Sequence, residues 1–164
     1  MASMDDGPPD AAAVGVFPPA VPLATILLGI GLNRLWPLGP VPGFPDAPAR
    51  YWVGGGIVLA AFLGLGLLSV VLMRRSGQSE NPTKPTTSIL TRGTYRLSRN
   101  PMYLQMVIGC IGFAVLLANL WILLLVPACA WALWWFAIRH EEAYLERKFG
   151  EEYLSYKRRV RRWL

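Results

Sequence analysis

Two short clusters of polar residues contain groups that can bind a charged ligand. The first runs from Gly93 to Tyr103, and the second is the tetrapeptide Arg139-His140-Glu141-Glu142. The stretch between them is apolar, with a small turn at Ala118-Asn119, which is typical of a helical hairpin. Because a hairpin returns to the side from which it starts, we expect the two clusters to meet.

The groups in these clusters suit a ligand that carries both charges and a flat base. Asn100-Pro101 is typical of a helix start, so we expect backbone N–H groups beside Arg99 to attract a carboxylate. The carboxylates of the second cluster can accept hydrogen bonds from an ammonium group or from ribose hydroxyls. Tyr95 and Tyr103 can contact a flat base or a cation such as a sulfonium. Together these groups predict a site for S-adenosylmethionine.

Each of these residues, taken singly, also has an ordinary structural explanation. Arg99 and Arg139 can anchor helix ends at a membrane surface, and Asn100 can be a simple cap. His140 on its own is typical of an interfacial hydrogen-bonding residue rather than of a catalytic base. The binding interpretation therefore rests on the combination of the two clusters.

Other kinds of site are disfavoured by composition. The chain has one His and two Cys, and both Cys110 and Cys129 lie in apolar runs. We therefore expect no disulfide framework, no metal centre and no Ser-His-Asp triad.

The composition is typical of a membrane protein. Of the 164 residues, 54% are hydrophobic and 16% are charged, and mean hydropathy is +0.37. Fourteen of the sixteen basic residues lie in Arg74–Arg99 and Arg139–Arg162. This clustering indicates the cytoplasmic face of a membrane protein rather than a nucleic-acid partner.

The predicted fold is an all-α integral membrane protein with four transmembrane helices and a C-terminal amphipathic cytoplasmic cap. The expected spans are residues 19–36, 51–73, 101–117 and 120–138, within a transmembrane domain of residues 18–138. The first is short, because prolines at 18, 19 and 22 break its entry. If it fails to cross, the N-terminus lies outside instead of in the cytoplasm.

Two spans carry residues that affect their packing or shape. Glycines at 54, 55, 56, 64 and 66 favour close packing of the second span, and Pro127 predicts a kink in the fourth.

The segments outside the spans have their own patterns. Residues 1–17 are expected to be a disordered tail, and residues 37–50 and 76–100 are expected to be irregular loops. Residues 139–164 are expected to form two cytoplasmic helices, broken at Gly150, that either lie along the membrane interface or fold back over the cytoplasmic ends of the spans and complete the cofactor site. Six large residues there share one helical face: Leu145, Phe149, Tyr153, Tyr156, Val160 and Trp163.

Two motifs separated by a hairpin carry a resemblance to a known family. The first is G-x-Y-R-x-x-R-N-P-x-Y, and the second is R-x-E-E-x-x-L-x-x-x-F-G-x-x-Y-x-x-Y-x-x-R-V. In this order they resemble the isoprenylcysteine carboxyl methyltransferase family and related membrane phospholipid methyltransferases. The resemblance covers about residues 87–164. It implies S-adenosylmethionine as cofactor, leaving as S-adenosylhomocysteine, held between the segment before the hairpin and the glutamates after it. Together with the clusters, it gives as cofactor-binding residues Thr87, Ser88, Ile89, Leu90, Tyr95, Arg99, Asn100, Pro101, Met102, Tyr103, His140, Glu141 and Glu142.

The resemblance also implies a membrane methyltransferase whose lipophilic acceptor enters from the bilayer. Arg139 is expected to orient an anionic acceptor and Glu141 to fix the cofactor and the tail. An isoprenylcysteine carboxylate is the first expectation for the acceptor, while a phospholipid amine, a small amine or a thiol stay open. A membrane interaction protein that has lost catalysis is the non-enzyme alternative. The oligomeric state is open.

The chain departs from the family pattern at three positions. Asn100 stands where eukaryotic members have His, and Asn cannot titrate in a proton relay. Ala137 stands where the substrate-positioning Arg is expected, so the role given to Arg139 is shifted by two residues. Arg161 replaces a proline in the tail.

Overall fold

The computed structural model describes residues 15–38, 45–78 and 86–164. These residues form helices and connecting segments without any β-strand, which confirms the all-helical class. The helices are α1 (Ala20–Leu35), α2 (Ala49–Arg75), α3 (Pro101–Leu116), α4 (Leu120–Phe149) and α5 (Glu151–Arg159). The first fourteen residues of the expected tail, and residues 39–44 and 79–85 of the two expected loops, lie outside the described part of the chain.

Helices α1 to α4 pack side by side as a bundle, in which α2 lies on α3 and α1 lies on α4. The closest approach is between α2 and α3. A Cβ added at Gly54 would lie 2.5 Å from the backbone N of Leu116, and one at Gly112 would lie 3.0 Å from the carbonyl O of Gly54. Only glycine allows this separation, so α2 closes tightly on α3.

The turn expected at Ala118-Asn119 is confirmed, and it joins α3 to α4. The Asn119 side chain accepts a hydrogen bond from the backbone N of Ile122 at 3.2 Å, so it caps α4. Its amide also donates to the carbonyl O of Gly29 at 3.2 Å, which ties the turn to α1. One side chain therefore fixes both the hairpin and its neighbour.

Helix α4 is longer than the fourth expected span. It continues through a π-helical stretch, Trp134–Ile138, and ends at Phe149, because neither Gly nor Pro interrupts the sequence between Pro127 and Gly150. Gly150, with φ of 52°, breaks the chain as expected. The second polar cluster thus lies on a rigid extension of α4, while a kink at Pro127 stays a prediction.

Two helices, α2 with 27 residues and α4 with 30, are long and apolar enough to cross a membrane. Helices α1 and α3 are apolar but have only 16 residues each. Large apolar side chains point outward from the bundle, among them Leu27, Leu59, Phe62, Leu124 and Trp131. A bundle in water would bury most such residues, so the outer surface suggests membrane association.

The C-terminal segment folds back over one end of the bundle. Tyr153 and Tyr156 of α5 are buried, and the Tyr156 hydroxyl donates to the carbonyl O of Tyr95 at 2.7 Å. After α5, Trp163 packs against the buried cluster that contains Leu133 and Ile138. The amphipathic face expected for this segment therefore covers protein.

Candidate functional site

A cavity of about 690 Å³ lies under the C-terminal segment, at one end of the bundle. Its walls come from the residues just before α1, the end of α2, the start of α3, the extension of α4 and α5. Binding sites for small molecules are commonly 300–1,000 Å³. Both polar clusters contribute to the walls, because the α3–α4 hairpin returns them to one level.

Most of the residues that the sequence assigned to the cofactor line this cavity. They are Ser88, Ile89, Leu90, Tyr95, Arg99, Asn100, Pro101, Met102, Tyr103 and Glu141, together with Tyr153 and Tyr156 from α5. Thr87, Arg139, His140 and Glu142 do not line it. The roles of all these residues stay predictions.

Sequence reasoning missed several lining residues. Met106 and Tyr144 each lie three positions after a lining residue on the same helix, after Tyr103 and Glu141 respectively. The i, i+3 spacing on a helix was the available signal. Residues 15–19 also line the cavity, and no sequence pattern singled them out.

The segment before the 3₁₀ turn Gly93–Arg96 is tied down beside the cavity at two points. The Gln78 side-chain amide donates to the carbonyl O and the hydroxyl of Ser88, at 2.7 and 3.0 Å. The backbone N of Thr86 donates to the Tyr144 hydroxyl at 3.2 Å. An irregular segment is thus held in place by one side chain from the residues just after α2 and one from α4.

Tyr103 and Glu141 join the two clusters directly. The Tyr103 hydroxyl donates a hydrogen bond to Oε1 of Glu141. Burial among protein groups raises the pKa of Glu141 to about 7; Tyr103 opposes this shift and the nearby Glu142 carboxylate adds to it. Near neutral pH, a cationic ligand would favour the ionised form of Glu141. Burial also raises the pKa of Tyr95 above its usual value, so this cavity tyrosine is a neutral hydrogen-bonding group.

Arg99 supplies the opposite charge. Its side chain is only 7% exposed, and Nη2 lies 3.2 Å from Oε1 of Glu142. Its Nε and Nη1 are buried and have no hydrogen-bond partner among the described residues. Buried charged donors without partners are costly, so this guanidinium is suited to an anionic group in the cavity.

The carboxylate of Glu142 binds other side chains of the protein. Its carboxylate accepts from Nε of Arg162 at 3.2 Å and from Nη2 of Arg162 at 2.8 Å, and it also contacts Arg99. The Asn100 amide donates to Oε1 of Glu142 and to the carbonyl O of Arg162, both at 3.4 Å. The side-chain cap expected from Asn100 is therefore wrong: its amide faces this carboxylate instead, and α3 begins at Pro101 without a side-chain cap.

Arg139 lies outside the cavity. Its guanidinium stacks over the Trp135 ring at 3.6 Å from the centroid, and its Nε donates to Nε2 of His140 at 3.3 Å. Arg139 and His140 thus form a pair beside the exposed aromatic face of α4.

A second, apolar groove of about 400 Å³ runs between α1 and α4. Its walls include Ala24, Leu28, Ala128 and Ala132, and Val16 lines both the groove and the cavity. Helix α2, which Gly54 packs onto α3, contributes no residue to these walls.

The sequence of the chain is similar to that of a known protein family. A family model described as phospholipid methyltransferase matches residues 49–152. Protein-S-isoprenylcysteine O-methyltransferase B of Arabidopsis thaliana is 32% identical over 121 residues, which are 71% of this chain and 61% of that protein. An uncharacterized protein of Haemophilus influenzae is 66% identical over 29 residues, 18% of this chain and 46% of that protein. The chain thus spans between about half and three fifths of the length of these relatives, and no solved structure matches it.

Proposed function

The chain belongs to the phospholipid and isoprenylcysteine methyltransferase family, and on that premise we propose that it transfers a methyl group from S-adenosylmethionine to a lipophilic acceptor. The bound cofactor supplies an electrophilic methyl group on a sulfonium. Transfer of that group needs the acceptor atom, the methyl carbon and the sulfur in line, so the protein contributes mainly by positioning.

The observation that carries this proposal is the pairing of opposite charges in one cavity. Two buried nitrogens of the Arg99 guanidinium have no partner among the described residues, and the partly buried carboxylate of Glu141 lines the same cavity. A ligand with a carboxylate and cationic groups satisfies both. We propose that Arg99 binds the carboxylate of the cofactor and that Glu141 binds its cationic part.

The other lining residues fit the remaining parts of the same ligand. Tyr95 and Tyr103 offer aromatic faces for a base or a sulfonium, and Ser88, Ile89, Leu90 and Met102 give a mixed wall around them. Calorimetry of the purified chain with S-adenosylmethionine tests the site. Absence of binding would favour the alternative, a membrane protein that has lost catalysis.

We propose that the acceptor reaches the cavity from the lipid through the groove between α1 and α4. The groove is apolar and meets the cavity at Val16. Helix α5 forms another part of the cavity wall, through Tyr153 and Tyr156. A long acyl or prenyl chain fits such a surface, since burial of each CH₂ contributes about 0.8 kcal/mol. Arg139, three residues after the groove residue Phe136, is proposed to orient an anionic group at the membrane surface.

The first candidate for the reacting group is a carboxylate, which would be methylated on oxygen. The name of the Arabidopsis relative, an isoprenylcysteine O-methyltransferase, favours it. The second candidate is a phospholipid amine, which the description of the family model favours. Labelled-methyl transfer into a lipid extract, followed by base treatment, separates them, because esters are hydrolysed and N-methyl products survive.

We propose that all four helices of the bundle cross the membrane and that the cavity faces the cytoplasm. The start of α1, the end of α2, the start of α3 and the extension of α4 all border the cavity, so successive helices run in opposite directions. Basic residues such as Arg74, Arg96 and Arg162 lie at this end, and positive charge favours the cytoplasm. Residues 18–138 would form the membrane domain, and residues 139–164 would complete the site. Labelling of single cysteines near both termini with an impermeant reagent in sealed vesicles tests this arrangement.

A further inference from the structure

A three-residue charge cluster joins the C-terminus to the cavity. Glu142, whose side chain is 5% exposed, faces two guanidinium groups, those of Arg99 and Arg162. Arg162 reaches both oxygens of Glu142, whereas Arg99 contacts only Oε1, through Nη2. Two cations therefore share one carboxylate, which leaves one positive charge without a partner in the cluster, and the unpaired N–H donors are on Arg99, the arginine that lines the cavity.

The backbone around this cluster is fixed as well. The backbone N of Arg99 donates to the carbonyl O of Arg161 at 3.0 Å, and the Ser98 hydroxyl donates to the carbonyl O of Arg162 at 2.9 Å. Trp163 packs on the buried core beside them. The end of the chain is thus docked against the segment that carries Arg99.

The fork of an arginine prefers to bind both oxygens of a carboxylate. If Glu142 had no second cationic partner, its Oε2 would be free to accept from Nε or Nη1 of Arg99 beside the existing contact of Oε1 with Nη2, which would complete such a fork. Arg162 prevents this by holding Oε2 of Glu142 at 2.8 Å. We propose that Arg162 is a positioning residue that keeps Glu142 from capturing Arg99, so that Arg99 stays available for a ligand carboxylate. The inference rests on the proposed function, because it takes the cofactor as that ligand.

The test compares two ligands that differ only in the carboxylate: S-adenosylmethionine and decarboxylated S-adenosylmethionine. Binding of each to the full-length chain in lipid nanodiscs is measured by calorimetry. The unmodified protein is expected to prefer the carboxylated ligand by about tenfold or more, as for a hydrogen-bonded charge pair. Arg162→Gln is expected to lose most of this preference, while its affinity for the decarboxylated ligand stays within about twofold.

A second substitution distinguishes positioning from simple support. In the double variant Arg162→Gln/Glu142→Gln, the competing carboxylate is gone, so Arg99 is released and the preference for the carboxylated ligand is expected to return. Arg158→Gln is the matched control, since it removes one positive charge from the same segment at a side chain that is 64% exposed. It is expected to bind both ligands like the unmodified protein.

The outcomes separate the inference from the proposed function. Equal weakening of both ligands by Arg162→Gln, or no recovery in the double variant, would show that Arg162 only supports the fold. Failure of the unmodified protein to bind either ligand would overturn the proposed function, and with it the carboxylate that Arg99 is proposed to bind. If Arg162→Gln does not fold, Arg162→Lys replaces it: lysine keeps the charge but lacks the fork, so an intermediate preference is expected, and an unchanged preference would contradict the inference.

Discussion

Tyr103 and Glu141 are 38 residues apart in sequence and are joined by a hydrogen bond from the tyrosine hydroxyl to the carboxylate. One lies in the first turn of α3 and the other on the extension of α4, so the bond closes the base of the hairpin where it meets the cavity. The hydrogen bond positions a carboxylate that lines the cavity, and it opposes the rise in the pKa of Glu141 that burial causes.

Replacing Glu141 by Ala is expected to weaken S-adenosylmethionine binding at least tenfold. The substitution removes a charged partner at a desolvated contact, which typically costs about 1.5–3 kcal/mol. Calorimetry gives the change, and Glu152→Ala, an exposed glutamate on α5, is the control. Unchanged affinity in Glu141→Ala would remove Glu141 from the proposed site.

Cofactor binding is expected to strengthen as the pH rises through about 7. The pKa of Glu141 is raised from 4.5 to about 7, so ionised Glu141, the form that attracts a cation, becomes dominant only above that pH. Affinity should differ about tenfold between pH 6 and pH 8, and Glu141→Gln should abolish this difference.

The raised pKa of Glu141 also means that the folded chain binds more protons than the unfolded chain between pH 4.5 and about 7. The contribution of Glu141 to the free energy of unfolding therefore falls as pH rises across that range.

A chain that ends at Phe149 is expected to insert into the membrane but to lose cofactor binding. The truncation removes Tyr153 and Tyr156, which line the cavity, and Arg162, which holds Glu142. Membrane extraction followed by calorimetry separates insertion from binding. Deletion of Leu164 alone, a residue that is 70% exposed, should leave both intact. Full affinity in the truncated chain would show that the segment only anchors the protein to the membrane surface.

Gly54→Ala is expected to destabilise the bundle by about 1–3 kcal/mol, because the new methyl group would lie 2.5 Å from the backbone of Leu116. Gly56→Ala on the same helix is the matched control, since nothing lies within 4 Å of its Cβ. Thermal unfolding in detergent measures both. Equal midpoints would contradict the close packing of α2 on α3.

Methylation of a long-chain acceptor is expected to fall steeply as the chain is shortened, by about 0.8 kcal/mol in transition-state binding for each buried CH₂ lost. Ala24→Phe in the groove should reduce kcat/KM for the longest acceptor, whereas Ala60→Phe on an exposed position of α2 should not. Equal kcat/KM for a short, water-soluble acceptor would contradict entry through the groove and favour a small-thiol or small-amine substrate.

The local elements follow closely from the sequence. The proline at position 101 starts α3, a turn at Ala118-Asn119 joins it to α4, and Gly150 ends α4, as the sequence predicted. These features depend on backbone geometry within one turn of the residue concerned, so the residue type alone indicates them. The sequence also predicts that the two polar clusters lie close together, because a helical hairpin returns to the side from which it starts.

Tertiary structure decided how the polar groups in these clusters are shared. Glu141 and Glu142 are neighbours of identical chemistry in the sequence, yet successive helical positions point about 100° apart, so one faces the cavity and the other faces Arg162. Asn100 illustrates the same point, because its amide turned from the expected cap to the carboxylate of Glu142. The sequence determined which groups reach this end of the bundle. Their partners depend on the docking of a C-terminal segment that lies 62 residues from Asn100, and no local pattern encodes that contact.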